Sequence, residues 1–152
     1  MRLCTAWDLS RNNLTFLDAA AFADFPGLKE LHLEHNGLEW LPDDTFKGAG
    51  GITFLSLEGN DFTKIPWDAL RALPALETLH LNRNHLTEVV PAVEPSFHRK
   101  LRKVWLDSNQ LSRVPVQCIH SLPGLEALGL GENLIGELKA HAFGNASRLE
   151  VL

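Results

Sequence analysis

Apolar and polar positions along this chain follow a frame that returns with a fixed period. Asn12, Asn36, Asn60, Asn84, Asn109 and Asn133 are 24, 24, 24, 25 and 24 residues apart. Around each of them an apolar residue recurs eight, five and three positions before and two after. The second repeat shows it as Leu28, Leu31, Leu33, Asn36, Leu38, and the third as Ile52, Leu55, Leu57, Asn60, Phe62. The next three read Leu76, Leu79, Leu81, Asn84, Leu86; then Leu101, Val104, Leu106, Asn109, Leu111; then Leu125, Leu128, Leu130, Asn133, Ile135. The first is looser, with Cys4, Trp7, Leu9, Asn12 and Leu14. Within each frame, alternation predicts a short strand with apolar side chains inward, and parallel strands from successive repeats stack about 4.8 Å apart. The second half of a repeat carries Leu41-Pro42, Ile65-Pro66 or Val114-Pro115, then an apolar residue expected to be buried: Phe22, Phe46, Leu70, Ile119 or Phe143. Proline stops a strand ladder from continuing on that side, where the chain must be wider to curve the stack.

The frame LxxLxLxxNxL is the pattern of leucine-rich repeats. It implies an α/β-type solenoid, a horseshoe with a concave parallel β-sheet and an irregular or short-helical convex side. Residues 1–152 then read as one domain, with repeats 4–27, 28–51, 52–75, 76–100, 101–124 and 125–148 and the start of a seventh at 149–152. Solenoids need polar terminal caps; none is recognisable, and the expectation is a fragment of a longer protein. The asparagines form a structural ladder, each amide placed to satisfy backbone groups at the turn out of the strand that would otherwise be buried unpaired. The one 25-residue repeat holds Val90-Pro91-Ala92-Val93-Glu94-Pro95-Ser96-Phe97-His98, where the extra residue is expected to make a local bulge in a convex loop.

Composition narrows the function. A net charge of −5 without a Lys/Arg run disfavours nucleic acid and anionic membrane and suits a basic partner. The longest uncharged apolar stretch, around Ala19 to Ala23, is far short of a bilayer span, so this segment is expected to make no direct membrane contact. Cys4 and Cys118 lie four repeats apart, about 19 Å by strand spacing, too far for a disulfide. Cys4 reads as a small core residue at a frame position and Cys118 as a convex-side residue. Two N-glycosylation sequons, at Asn13 and Asn145, fall outside the concave strands.

The run Leu101-Arg102-Lys103-Val104-Trp105-Leu106-Asp107-Ser108-Asn109-Gln110-Leu111, then Val114-Pro115-Val116-Gln117 and Ala142-Phe143-Gly144-Asn145-Ala146-Ser147, resembles the ectodomain of leucine-rich-repeat-containing G-protein-coupled receptors. The branch is the R-spondin receptors or an invertebrate relative. Leu9-Ser10-Arg11-Asn12-Asn13-Leu14-Thr15 and Ala69-Leu70 extend the resemblance over nearly the whole chain. It implies a ligand-binding ectodomain on the extracellular face of the plasma membrane, with a protein ligand that is R-spondin-like or a cystine-knot hormone. The family's Arg and Asp on the fourth-repeat strand are His80 and Asn82 here, and its His is Lys103.

The frame assigns three columns to the concave sheet, all expected to be exposed. They are Ala6, Glu30, Phe54, Thr78, Lys103, Ala127; Asp8, His32, Ser56, His80, Trp105, Gly129; and Ser10, Glu34, Glu58, Asn82, Asp107, Gly131. Five carboxylates face one lysine, and Phe54 and Trp105 are aromatics of the kind that anchor interfaces. The candidate ligand face is Glu34, Phe54, Glu58, His80, Asn82, Lys103, Trp105 and Asp107. The plainer alternative is that the acids only solvate the sheet while Phe54 and Trp105 pack over their neighbours. An enzyme is not expected. Glu34 and Glu58 would lie about 5 Å apart, a retaining-glycosidase separation, but on an open sheet with no pocket to tune them. His32 and His80 are two strands apart, no CxxC or HExxH occurs, and neither metal nor cofactor is expected. His35, His85, His98, His120 and His141 read as surface residues of turns or convex segments. Trp7 fits the core, and Trp40 and Trp67 the far sides. The remaining reading is a secreted or matrix adhesion protein without signalling helices.

Overall fold

The computed structural model describes residues 4–92, 95–144, 146 and 148–150. Six three-residue strands form one parallel sheet in sequence order: β1 Ala6–Asp8, β2 Glu30–His32, β3 Phe54–Ser56, β4 Thr78–His80, β5 Lys103–Trp105 and β6 Ala127–Gly129. Register follows the repeat. Trp7 faces Leu31, Leu31 faces Leu55, Leu55 faces Leu79, Leu79 faces Val104 and Val104 faces Leu128. The fold class is therefore a leucine-rich-repeat solenoid with only short helices opposite the sheet, α1 Trp67–Leu70 and α2 Val116–Ser121.

Two features of each repeat make this geometry. The frame residues pointing inward are buried outright, as with Leu31, Leu33, Leu55, Leu57, Leu79 and Leu81, and burying a side chain of that size contributes about 1.5–3 kcal/mol. The residue before each frame asparagine then takes left-handed backbone: Arg11, His35, Gly59, Arg83, Ser108 and Glu132 have φ of 53, 53, 65, 54, 54 and 52°. That reversal ends the strand after three residues and turns the chain outward. Only one of the six is glycine, so five bear the strain that a Cβ brings to this region.

The frame asparagines sit in the pocket that the reversal creates. Asn36, Asn60, Asn84, Asn109 and Asn133 accept the backbone N–H of Leu14, Leu38, Phe62, Leu86 and Leu111 in the preceding repeat, at 3.0–3.1 Å. Their amide groups donate to the carbonyls of Leu9, Leu33, Leu57, Leu81 and Leu106. Asn12, with no described repeat before it, donates to Leu9 and Ser10 of its own turn.

On the convex side Phe22 stacks on Phe46 at 5.8 Å between ring centroids. Further along, the place of a phenylalanine is taken by Leu70 and Ile119, both buried in the short helices.

Several expectations need correction. Cys4 is exposed rather than core, because β1 is an edge strand with nothing described on its outer side. Cys118 does lie on the convex side, in α2, but buried, and burial pushes its thiol up to about 12. Both thiols are free. His98 is not a surface residue: it is 2% exposed at the end of the 3-10 turn Pro95–His98, packed against Trp67 at 5.0 Å. Trp67 is itself buried, and its Nε1 donates to the carbonyl of Val90 at 2.8 Å. Phe143 is only half-buried. Part of the 25-residue repeat, Val93 and Glu94, lies outside the described residues, as does the sequon residue Asn145; Asn13 is exposed.

Candidate protein-binding face

Three rings of the middle column and one from the column beside it form a ladder across the sheet. His32 on β2 packs against Phe54 on β3 at 5.0 Å between centroids, Phe54 against His80 on β4 at 5.1 Å, and His80 edge-on against Trp105 on β5 at 6.3 Å. The contacts follow from strand register, which places His32 and His80 on either side of Ser56 and Trp105 beside His80. All four rings are half-buried, so each is fixed by its neighbours and still presents an edge or face outward. Ring pairs in such tilted and edge-on arrangements add about 0.5–1.5 kcal/mol beyond burial.

The third column runs beside these rings with Glu34, Glu58, Asn82 and Asp107. Glu34 Oε1 pairs with His32 Nδ1 at 2.9 Å, and Glu58 lies 3.8 Å from Arg83. Asp107 accepts the backbone N–H of Gly131 at 2.8 Å, which locks its carboxylate toward β6. His80 responds to this setting in two directions. Burial holds its imidazole below the ordinary value and outweighs the attraction of Glu58, Glu34 and Asp107, while His32 opposes protonation as well. Asp8, at the edge, is held below the usual carboxylate value by the Ser10 hydroxyl, the Ser10 N–H and more weakly by His32.

The expected exposure of the columns holds only in part. Ser56 is 0% exposed, closed over by the rings around it, and its hydroxyl finds no hydrogen-bond partner among the described residues; nor do Glu34 Oε2 and Asn82 Oδ1. Ala127 and Gly129 are buried too, for the opposite reason. They offer little or no side chain, and larger neighbours cover them. At Gly129 a Cβ would run into the Trp105 ring and the Asp107 carboxylate.

Gly129 ends the central column, and its lack of a side chain leaves the space that the Trp105 ring and the Asp107 carboxylate occupy. A glycine beside a tryptophan in the same column was the available signal. Of the candidate residues, Phe54, His80 and Trp105 belong to one continuous ring surface, and Glu34, Glu58, Asn82 and Asp107 flank it. Lys103 is exposed at the start of β5, in the same column as Phe54. Glu34 pairs with His32, and Glu58 lies near Arg83. No cluster of three metal-ligating side chains occurs among the described residues.

The leucine-rich repeat family model matches residues 7–38, 26–86 and 99–152, and the chain belongs to that family. Repeat domains of this kind are generally protein–protein interaction modules and typically non-catalytic. No curated protein matches the chain. No helix among the described residues is long and apolar enough to cross a membrane.

Proposed function

We propose that residues 1–152 form a protein-binding segment of a cell-surface receptor ectodomain, which engages a basic protein ligand across its concave face. The single observation that carries this reading is the ring ladder His32–Phe54–His80–Trp105 beside Glu34, Glu58 and Asp107. Half-buried aromatics held in place by one another lose little entropy on binding and commonly dominate interface energy. The carboxylates favour a cationic partner and speed its approach.

The receptor assignment draws on the Trp105-Leu106-Asp107 and Pro115-Val116-Gln117 strings and on the exposed sequon at Asn13. It predicts signalling through a G protein in the full-length protein, with an R-spondin-like protein or a cystine-knot hormone as ligand. The test is to express the complete open reading frame on cells and apply members of both ligand classes. A G-protein or Wnt-pathway response, with a glycan on Asn13, supports the receptor reading. Secretion into the medium without a membrane anchor would replace it with the matrix or adhesion reading.

A further inference from the structure

A second apolar surface lies away from the concave face. Of the five large hydrophobic residues that stand exposed among those described, three belong to one flank: Phe16, 48% exposed, Trp40, 55%, and Val90, 55%. Phe16 and Trp40 occupy the same frame position, four after the asparagine, in successive repeats, and their rings meet at 5.6 Å. Next to Trp40 opens a groove of about 370 Å³ with Ile65 and buried Trp67 among its lining and Val90-Pro91 on the far side.

That far side comes from the 25-residue repeat. Val90 is fastened there by its carbonyl, which accepts from Trp67 Nε1, so its side chain is free to face outward. The irregular repeat thus supplies Val90 and Pro91 to the groove and the second repeat supplies Trp40, whose ring Phe16 buttresses from outside it. Large apolar side chains left out of the core in one contiguous patch mark an interaction site, whereas scattered ones do not.

Charge selects the occupant. Glu39, Asp43 and Asp68 line the groove against a single cation, Lys64. The geometry points to a second docking site on this flank, independent of the concave face, for a segment of a partner protein that carries an aromatic or aliphatic anchor beside lysine or arginine. The anchor enters between Trp40 and Val90 over Trp67, and its basic neighbours meet the three carboxylates. Trp40 supplies the exposed aromatic that such anchors use, and the acidic rim repels acidic segments.

The probe is a short peptide alternating lysine or arginine with leucine and phenylalanine, compared with its glutamate counterpart and with an all-basic peptide lacking apolar residues. Indole N–H signals of the four tryptophans report the place of binding, with Trp40→Phe assigning one of them. The basic-apolar peptide is expected to shift the Trp40 signal saturably while Trp105 stays still, with both controls about tenfold weaker or worse. Val90→Asp, at an exposed position, should abolish the shift without altering the fold, and Trp40→Ala should weaken peptide binding about tenfold or more by calorimetry; Trp105→Ala should leave both intact. Equal response to the glutamate peptide, or movement of Trp105 instead, overturns the proposal. So does self-association in sedimentation that Trp40→Ala removes, because the occupant would then be a second copy of this chain.

Discussion

The side-chain oxygen of Asn84 accepts the backbone N–H of Phe62, twenty-two residues earlier, at 3.0 Å, while its amide donates to the carbonyl of Leu57. Both partners are buried in the preceding repeat, and no solvent can replace the bonds. Asn84→Ala should therefore cost about 1–3 kcal/mol by leaving those groups unpaired. Thermal unfolding checks it; an unchanged midpoint would mean that the asparagine is not what ties one repeat to the next.

Gly59 is the one glycine at the recurring left-handed position, and a Cβ there would strike the ring of His35. Gly59→Ala should lose about 1–2 kcal/mol from backbone strain alone, with the clash in addition. A neutral result by denaturant titration would show that the His35 ring moves aside freely.

His98 makes stability fall in acid. Burial holds its imidazole below the ordinary value of 6.5, and neither ring nitrogen has a hydrogen-bond partner among the described residues. Below that value the unfolded chain takes up a proton that the folded chain resists, so the stabilisation is complete above it and is lost as pH drops through it. His80 acts in the same direction. The melting temperature should decline between about pH 7.5 and about pH 5.5, and His98→Phe should flatten that decline. An identical pH slope in the variant would place the effect elsewhere.

Ser56 carries a buried hydroxyl without a partner among the described residues, a group that costs free energy where it stands. Ser56→Ala should leave stability unchanged or raise it by about 1 kcal/mol. Calorimetry that showed a marked loss would reveal a hydrogen bond in solution and a polar role for the centre of the face.

Most of the architecture was legible from the chain because the apolar frame fixes which side chains point inward. The strand positions, the parallel order and the place of each asparagine all follow from that one constraint. Burial on the outer columns was not legible, since it depends on how large neighbours lean: Ser56 disappears under rings, and Gly129 under Trp105, with no change in frame. His98 and Cys4 were misread for related reasons. The first ends a 3-10 turn that has no periodic signature and packs on Trp67, and the second holds a frame position just before the edge strand. The left-handed residue before each asparagine has no signature in the sequence because five of the six are not glycine.

Ligand binding to the complete ectodomain, measured by surface plasmon resonance for Trp105→Ala, Asp107→Lys and the convex-side control Lys47→Ala, tests the concave-face assignment most directly. Trp105 ends the ring ladder and Asp107 is locked beside it by Gly131, so the account predicts a loss of about 2 kcal/mol or more for Trp105→Ala. Asp107→Lys should slow association, with the gap narrowing at high salt, while Lys47→Ala behaves as wild type and melting temperatures stay close. Wild-type affinity in both concave variants would contradict the assignment.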